Sequence, residues 1–187
     1  MDIVIKHLGP DVIEDFLYFF DEVGFIDNPN WASCYCHYYH FDGSREDWGK
    51  RTKIQNRDAT KALILSGKMK GFLAYSDGKP IGWCNANSRQ IYSYLPVKDA
   101  HNEEEKVASV VCFLITPHYR KKGIARMLLK EACEYYKIKK YNYIEAYPVK
   151  EAKSDAHNYH GPISLFRSEG FSVIKELKDF FVMRKQL

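Results

Sequence analysis

The residues best suited to chemistry lie together after an almost unbroken apolar run, Val107 to Ile115. That run is followed by Thr116-Pro-His-Tyr-Arg120-Lys-Lys-Gly123-Ile124-Ala125 and then by Arg126. A buried strand, a short basic turn and a helix opening at a glycine make an anion site. The first backbone N–H groups of a helix have no intrahelical partner, and the helix dipole favours negative charge there. Gly123 and Ala125 carry little bulk, so a phosphate can approach the main chain closely, and Arg120, Lys121 and Lys122 add positive charge at the same mouth. Taken alone, Arg-x-x-Gly-x-Ala is also compatible with a solvated basic turn. Its seat between an apolar strand and an amphipathic helix favours the anion site.

A second chemical segment is Cys34-Tyr-Cys36-His37-Tyr-Tyr-His40. These are zinc-binding residue types, but Cys-x-Cys is tighter than the usual spacing and no second cysteine pair follows, so no metal is expected. Cys112 in mid-strand and Cys133 on a helix read as small buried apolar residues. Trp83 and Cys84 fall on a central strand, where core packing competes with a place in a pocket.

The elements that must position these groups follow from periodicity. Ile3 to Ile5 reads as a strand. Gly9-Pro10-Asp11 starts a helix carrying Ile13, Phe16, Leu17 and Phe20 on one face. Ser44 to Asp47 resembles a capping box and opens a helical region to about Ser66, interrupted at Gly49 and at Asn56 to Asp58. Phe72 to Tyr75 and Pro80 to Asn85 flank Ser76-Asp77-Gly78-Lys79, a hairpin turn. Gln90 to Leu95 reads as a strand or a loop, and His101 to Lys106 as an acidic solvated stretch. Val107 to Ile115 is apolar enough for a central strand covered on both faces. Gly123 to Lys137 is the strongest helix, with Ala125, Leu128, Leu129, Ala132 and Tyr136 opposite Arg126, Lys130, Glu134 and Lys137. A strand at Tyr143 to Tyr147, a helix from Gly161-Pro162 to Gly170, and a closing hairpin from Phe171 complete an α/β (α+β) sandwich with a mixed sheet.

The 187 residues suit one domain, 15% of them are aromatic, and the formal net charge is +4. So mild a charge does not argue for nucleic acid. No apolar run approaches the length of a membrane span. Five cysteines without a disulfide pattern, and an amino terminus unlike a signal peptide, point to a reduced, cytoplasmic protein.

Arg120-x-x-Gly123-x-Ala125, with Leu165-Phe166-x-x-x-Gly170-Phe171 further on, resembles the signatures of GCN5-related N-acetyltransferases. Cys34-Tyr-Cys36, Gly82-Trp-Cys84 and Glu145-Ala-Tyr-Pro148 resemble a bacterial sub-group of that family. The resemblance implies a mixed, mostly antiparallel sheet flanked by helices, with two splayed parallel strands, Val107 to Ile115 and Tyr143 to Tyr147, forming a wedge for acetyl-CoA. Pantetheine would pair with the main chain of Phe113, Leu114 and Ile115, and pyrophosphate would rest on Arg120 to Arg126. Residues 71–187 would bind CoA and residues 1–70 would form the helical acceptor side.

The acceptor implied is an amine, of a small molecule rather than a protein, with Trp31, Cys34, Cys36 and Trp83 on the pocket wall. A backbone N–H at Phe113 or Leu114 would hold the oxyanion. The family's usual tyrosine acid falls at Phe166, so Tyr159 is the candidate acid and Glu145 the candidate base. Packing and a structural ion pair are the respective alternatives. A CoA-binding module without turnover, or a Cys/His metal or redox protein on the same scaffold, are the rival readings. Monomer and homodimer both fit.

Overall fold

In a computed structural model, residues 2–97 and 105–187 are described, so the acidic stretch expected at His101 to Lys106 lies, up to Glu104, outside them. Seven strands form one sheet: β1 Ile3–His7, β2 Gly71–Ser76, β3 Lys79–Ser88, β4 Val107–Ile115, β5 Tyr143–Ala146, β6 Ser172–Glu176 and β7 Phe181–Gln186. Their order is β1-β2-β3-β4-β5-β7-β6. Every neighbouring pair is antiparallel except β4 with β5. This is the mixed sheet expected from the sequence. The strand expected at Ile3 to Ile5 is β1, which extends the sheet beside β2.

Two sets of helices cover the two faces. On one, α4 (Ile124–Ile138) buries Leu128, Leu129, Ala132 and Tyr136 against Ala74, Ala86, Ala108 and Val110. Burying a large apolar side chain is worth roughly 1.5–3 kcal/mol, so this stripe fixes the position of the helix start. On the other face, α1 (Ile13–Tyr18) runs into a π turn, Phe19–Val23. Phe16, Leu17, Phe19 and Phe20 pack there with Tyr35, Cys36, Ile64 and Trp83.

The helical region expected from Ser44 to Ser66 divides into α2 (Arg45–Gly49) and α3 (Lys53–Leu65). Each begins with its own capping box, Ser44 with Asp47 and Thr52 with Gln55, and the second box forces the break at 50–52. Asn56 to Asp58 do not interrupt α3. Asn56 is buried and ties α3 to the Cys34 segment through the carbonyl of Ser33, at 2.9 Å. Gln90 to Leu95 is not a strand: a 3-10 turn, Arg89–Ile91, leads into irregular chain. The last short helix is α5 (Ile163–Ser168). Among the described residues no helix is long and apolar enough to cross a membrane.

Candidate active site

The parallel pairing of β4 and β5 ends at Val110 and Ala146, yet β4 continues to Ile115. The strands part there, and Pro148, which has no N–H to donate, follows β5 closely. The loop before α5 turns back into the gap, where the Tyr159 carbonyl accepts the Phe113 N–H at 2.6 Å. Gly161 makes this approach possible. Its φ is +83°, and a Cβ would lie 3.1–3.2 Å from the rings of Phe166 and Phe113.

A cavity of about 940 Å³ opens beside this gap and runs from the start of α4 to the Cys34 segment. Phe113, Leu114, Ile115, Arg120, Lys121, Gly123, Ile124, Ala125 and Arg126 line it. At its basic end the backbone is shaped as a cradle. Lys121 has φ +60° and Gly123 φ +82°, and the first N–H groups of α4 receive no side-chain cap. A helix of this length with uncapped N–H groups and an open glycine is suited to a phosphate.

The basic side chains are more committed than their exposure in sequence implies. Arg120 donates from Nε to the Ile115 carbonyl at 2.9 Å and forks onto Asp27, with Nη2 to Oδ1 at 3.1 Å. That guanidinium holds the Asp27 carboxyl below its ordinary range. Lys121 Nζ lies 3.5 Å from Asp155, and Arg126 bonds Ser168 and Glu169. Lys122 is not among the lining residues, and its ammonium lies 5.4 Å from the centre of the Tyr119 ring. Asp27 and Asp155 escaped sequence reasoning because nothing in their local pattern couples them to a loop so distant in the chain.

The far end is aromatic. Trp31, Cys34 and Cys36 line it, joined by Phe20, Phe25, Tyr38, Tyr39, Trp48 and Tyr159. Trp31 meets Tyr159 and His157 edge-on, at 5.9 and 4.9 Å between ring centres. Burial pushes the Tyr159 phenol up to about 12, so it keeps its proton at neutral pH. Tyr39 lies beside it, and the Tyr39 hydroxyl is 3.4 Å from His160 Nε2. Burial holds His160 neutral, down to about 4. Tyr35 and Cys36 adopt left-handed conformations, φ +45° and +52°, which cost non-glycine residues roughly 1–3 kcal/mol each.

Three expectations need correction. Glu145 is not exposed to the cavity. It is fully buried, with one carboxylate oxygen taking Arg89 and the Tyr147 hydroxyl (2.9 Å) and the other taking Arg184 at 2.7 and 3.0 Å. A carboxylate bound on both oxygens by two arginines has no free lone pair with which to serve as a base. Trp83 is fully buried behind the pocket wall among Phe16 and Phe20, because its strand position faces the α1 side of the sheet. The Phe113 N–H, an expected oxyanion donor, already serves the Tyr159 carbonyl. Among the described residues, no group of three or more His, Cys, Asp or Glu is placed to hold a metal ion.

A parallel wedge, an uncapped helix start and a contiguous cavity are what an acyl-CoA site requires, and a model of the acetyltransferase (GNAT) family matches residues 29–161. The chain belongs to the GNAT family. It is an acetyl-CoA-dependent acyltransferase by that membership, and the α4 cradle fits the donor's pyrophosphate. No curated protein matches the sequence. Solved GNAT structures share the fold. The PaiA N-acetyltransferase of Thermoplasma acidophilum, in complex with coenzyme A, has a TM-score of 0.57 at 21% identity and covers 100% of both chains. A GNAT acetyltransferase of Streptococcus pneumoniae has a TM-score of 0.56 at 16% identity, over 100% of this chain and 99% of the other. The ribosomal-protein-S18-alanine N-acetyltransferase of Escherichia coli has 0.55 at 12%, over 99% and 94%. At such identities the likeness carries the fold, and the acceptor must be read from the cavity.

Proposed function

We propose that this GNAT protein acetylates the amine of a small molecule whose carbon body is apolar or aromatic. The observation that carries the proposal is the composition of the cavity's far end, where Trp31, Tyr38, Tyr39, Trp48 and Tyr159 face the space beyond the donor loop. Among the described residues that line the cavity, the one acid, Asp155, sits against Lys121 at the basic end. Rings of this kind supply large apolar area, and an apolar wall disfavours an ammonium, which favours the nucleophilic neutral form of the amine. Among the described residues, that end offers no carboxylate for a polyamine's second charge.

In this reading the pyrophosphate rests on the main chain of residues 120–126, and the pantetheine runs along Phe113 to Ile115. The wall built by Trp31, Cys34 and Cys36 belongs to the acceptor side contributed by the residues before 71. Tyr159, still protonated at neutral pH, gives its proton to the departing thiolate. Glu145 has no part in proton transfer.

The test is release of CoA thiol from acetyl-CoA, followed with a thiol-reactive dye against a protein-only control, since the chain carries five cysteines. Arylalkylamines, polyamines and amino-terminal peptides serve as acceptors. Turnover with arylalkylamines that Arg120→Glu abolishes supports the reading. Turnover with peptides or polyamines alone overturns the acceptor class. Absence of any acetyl-CoA-dependent rise in melting temperature overturns donor binding.

A further inference from the structure

Neither main-chain N–H of β4 expected to hold the acyl oxyanion is free to do so. That of Phe113 points into the gap and donates to the Tyr159 carbonyl at 2.6 Å. Successive N–H groups of a strand point to opposite edges, so that of Leu114 faces β3, where Leu114 pairs with Trp83. The loop that takes the strand donor brings a hydroxyl in its place. His160, the next residue after Tyr159, is 3% exposed. Its Nε2 lies 3.4 Å from the hydroxyl of Tyr39, a residue of the cavity wall.

Both rings are fixed. Tyr39 lies in a 3-10 turn, Tyr38–His40, and its carbonyl accepts the Ser93 N–H at 2.8 Å. Tyr38 meets the Tyr39 ring edge-on at 5.3 Å and is itself stacked on Tyr94, 5.1 Å between centres. His160 is held by the Tyr159 ring at 4.3 Å and by Phe180, edge-on at 5.4 Å. Groups held in this way need not reorganise when charge develops beside them.

The direction of the bond between Tyr39 and His160 follows from the other ring nitrogen. His160 Nδ1 is buried and meets no hydrogen-bond partner among the described residues. A neutral imidazole carries one N–H. On Nδ1 it would be a buried donor without an acceptor, which is rare, whereas on Nε2 it is received by the Tyr39 oxygen. His160 therefore donates, Tyr39 accepts, and the Tyr39 proton is left for a partner in the cavity. Burial holds that phenol well above its ordinary value and His160 down at about 4. Near neutral pH the hydroxyl keeps its proton and the imidazole stays uncharged.

We propose that Tyr39 is a catalytic residue, the hydrogen-bond donor to the thioester carbonyl oxygen of acetyl-CoA, and that His160 is the residue that positions it. This inference rests on the acetyl-CoA reading of the same cavity. As the neutral amine attacks, the C–N bond forms and the carbonyl π pair moves onto oxygen. The Tyr39 O–H binds that oxygen without giving up its proton. The pair then returns, the C–S bond breaks, and the CoA thiolate takes the Tyr159 proton. The extra proton on nitrogen goes to the Tyr159 phenolate, so the sequence closes without Glu145.

The bond to the carbonyl can be read before an acceptor is known. Acetyl-CoA isotopically labelled at its thioester carbonyl is bound to the intact protein without amine. Thermal shift reports binding, and difference infrared spectroscopy reports the labelled C=O stretch. In the wild type the stretch should lie below that of a thioester in an apolar solvent. Tyr39→Phe should move it upward while acetyl-CoA still raises the melting temperature. His160→Gln keeps an N–H donor and should preserve most of the lowering, whereas His160→Leu should lose it. In turnover with arylalkylamines, Tyr39→Phe should lower kcat about 10²–10³-fold and leave KM for acetyl-CoA nearly unchanged. A bound donor whose stretch is not lowered in the wild type, or is lowered equally in Tyr39→Phe, overturns the role of Tyr39 and leaves the acetyl-CoA reading standing. Equal spectra for the two His160 variants overturn the positioning role. No rise in melting temperature with acetyl-CoA overturns both readings.

Discussion

The Phe113 N–H donates to the Tyr159 carbonyl at 2.6 Å, across the gap where β4 and β5 part. The bond fixes the Tyr159 main chain against the strand that carries the donor site, and so sets where the phenol sits. Tyr159→Phe keeps this backbone bond and removes only the O–H. We expect kcat to fall about 10²-fold or more, with melting temperature nearly unchanged, in steady-state assays of CoA release. Phe166→Tyr, which restores the residue type usual in the family, should not rescue it. Phe166 is fully buried between Phe113 and Phe171, so a hydroxyl there has no partner and costs about 1–3 kcal/mol. Rescue of Tyr159→Phe by Phe166→Tyr would show that the acid belongs on α5 after all.

Glu145 holds the sheet together rather than moving protons. It joins Arg89 in the turn after β3 to Arg184 on β7, and Tyr147 links the same carboxylate to Ser109 on β4 at 2.8 Å. Glu145→Gln leaves two largely buried guanidinium groups facing a neutral amide. The expected loss is about 3–5 kcal/mol in urea unfolding, with kcat per folded molecule unchanged. Full stability with lost turnover would return Glu145 to the role of base.

The sequence made the donor side legible because its signals are local. An apolar run, a glycine and an amphipathic helix lie contiguously, and the 3.6 period of Leu128, Leu129, Ala132 and Tyr136 survives tertiary packing unchanged. The acceptor side was only partly legible. Trp31, Cys34 and Cys36 stood out by residue type, but Trp48 and Phe25 reach the cavity from segments with no common pattern. Glu145 was misread because its partners, Arg89 and Arg184, lie far away along the chain. Trp83 was misread because a strand's two faces cannot be told apart when both are buried, as they are along β3.

Three buried imidazoles give the fold an acid limit. Burial holds His37, His40 and His160 down to about 4 each, and Arg51 near His37 acts in the same direction. An unfolded histidine takes its proton near 6.5, well before these do. Their contribution to stability is therefore complete above pH about 6.5 and is lost as pH falls toward 4. Near pH 5 unfolding should take up close to three protons through these groups, each worth about 1.4 kcal/mol per pH unit. The urea midpoint should drop steeply between pH 6.5 and 4.5, and His40→Gln should remove roughly one third of that slope. A flat profile over this interval would mean that the imidazoles are charged or solvated in the folded state.

Asp27 competes electrostatically with the donor. Its carboxylate is forked by Arg120 at the mouth where a pyrophosphate would add further negative charge, while Arg120 Nε holds the Ile115 carbonyl. Arg120 thus has two effects, one on charge and one on the shape of the turn, and the pair can be separated. Asp27→Asn removes the competing charge and leaves the Nε bond. Acetyl-CoA should then bind a few-fold more tightly at low ionic strength, an advantage that fades as added salt shortens the Debye length toward about 8 Å. Arg120→Ala loses both the charge and the turn, and binding should weaken about tenfold at low salt, with the part due to the turn persisting at high salt, since a charge-assisted bond is worth about 1.5–3 kcal/mol. The double variant should deviate from additivity because the two side chains are in contact. Calorimetric titration at two salt concentrations reads all three. If Asp27→Asn weakens binding as much as Arg120→Ala, the ion pair itself builds the cradle, and main-chain amides alone do not hold the donor.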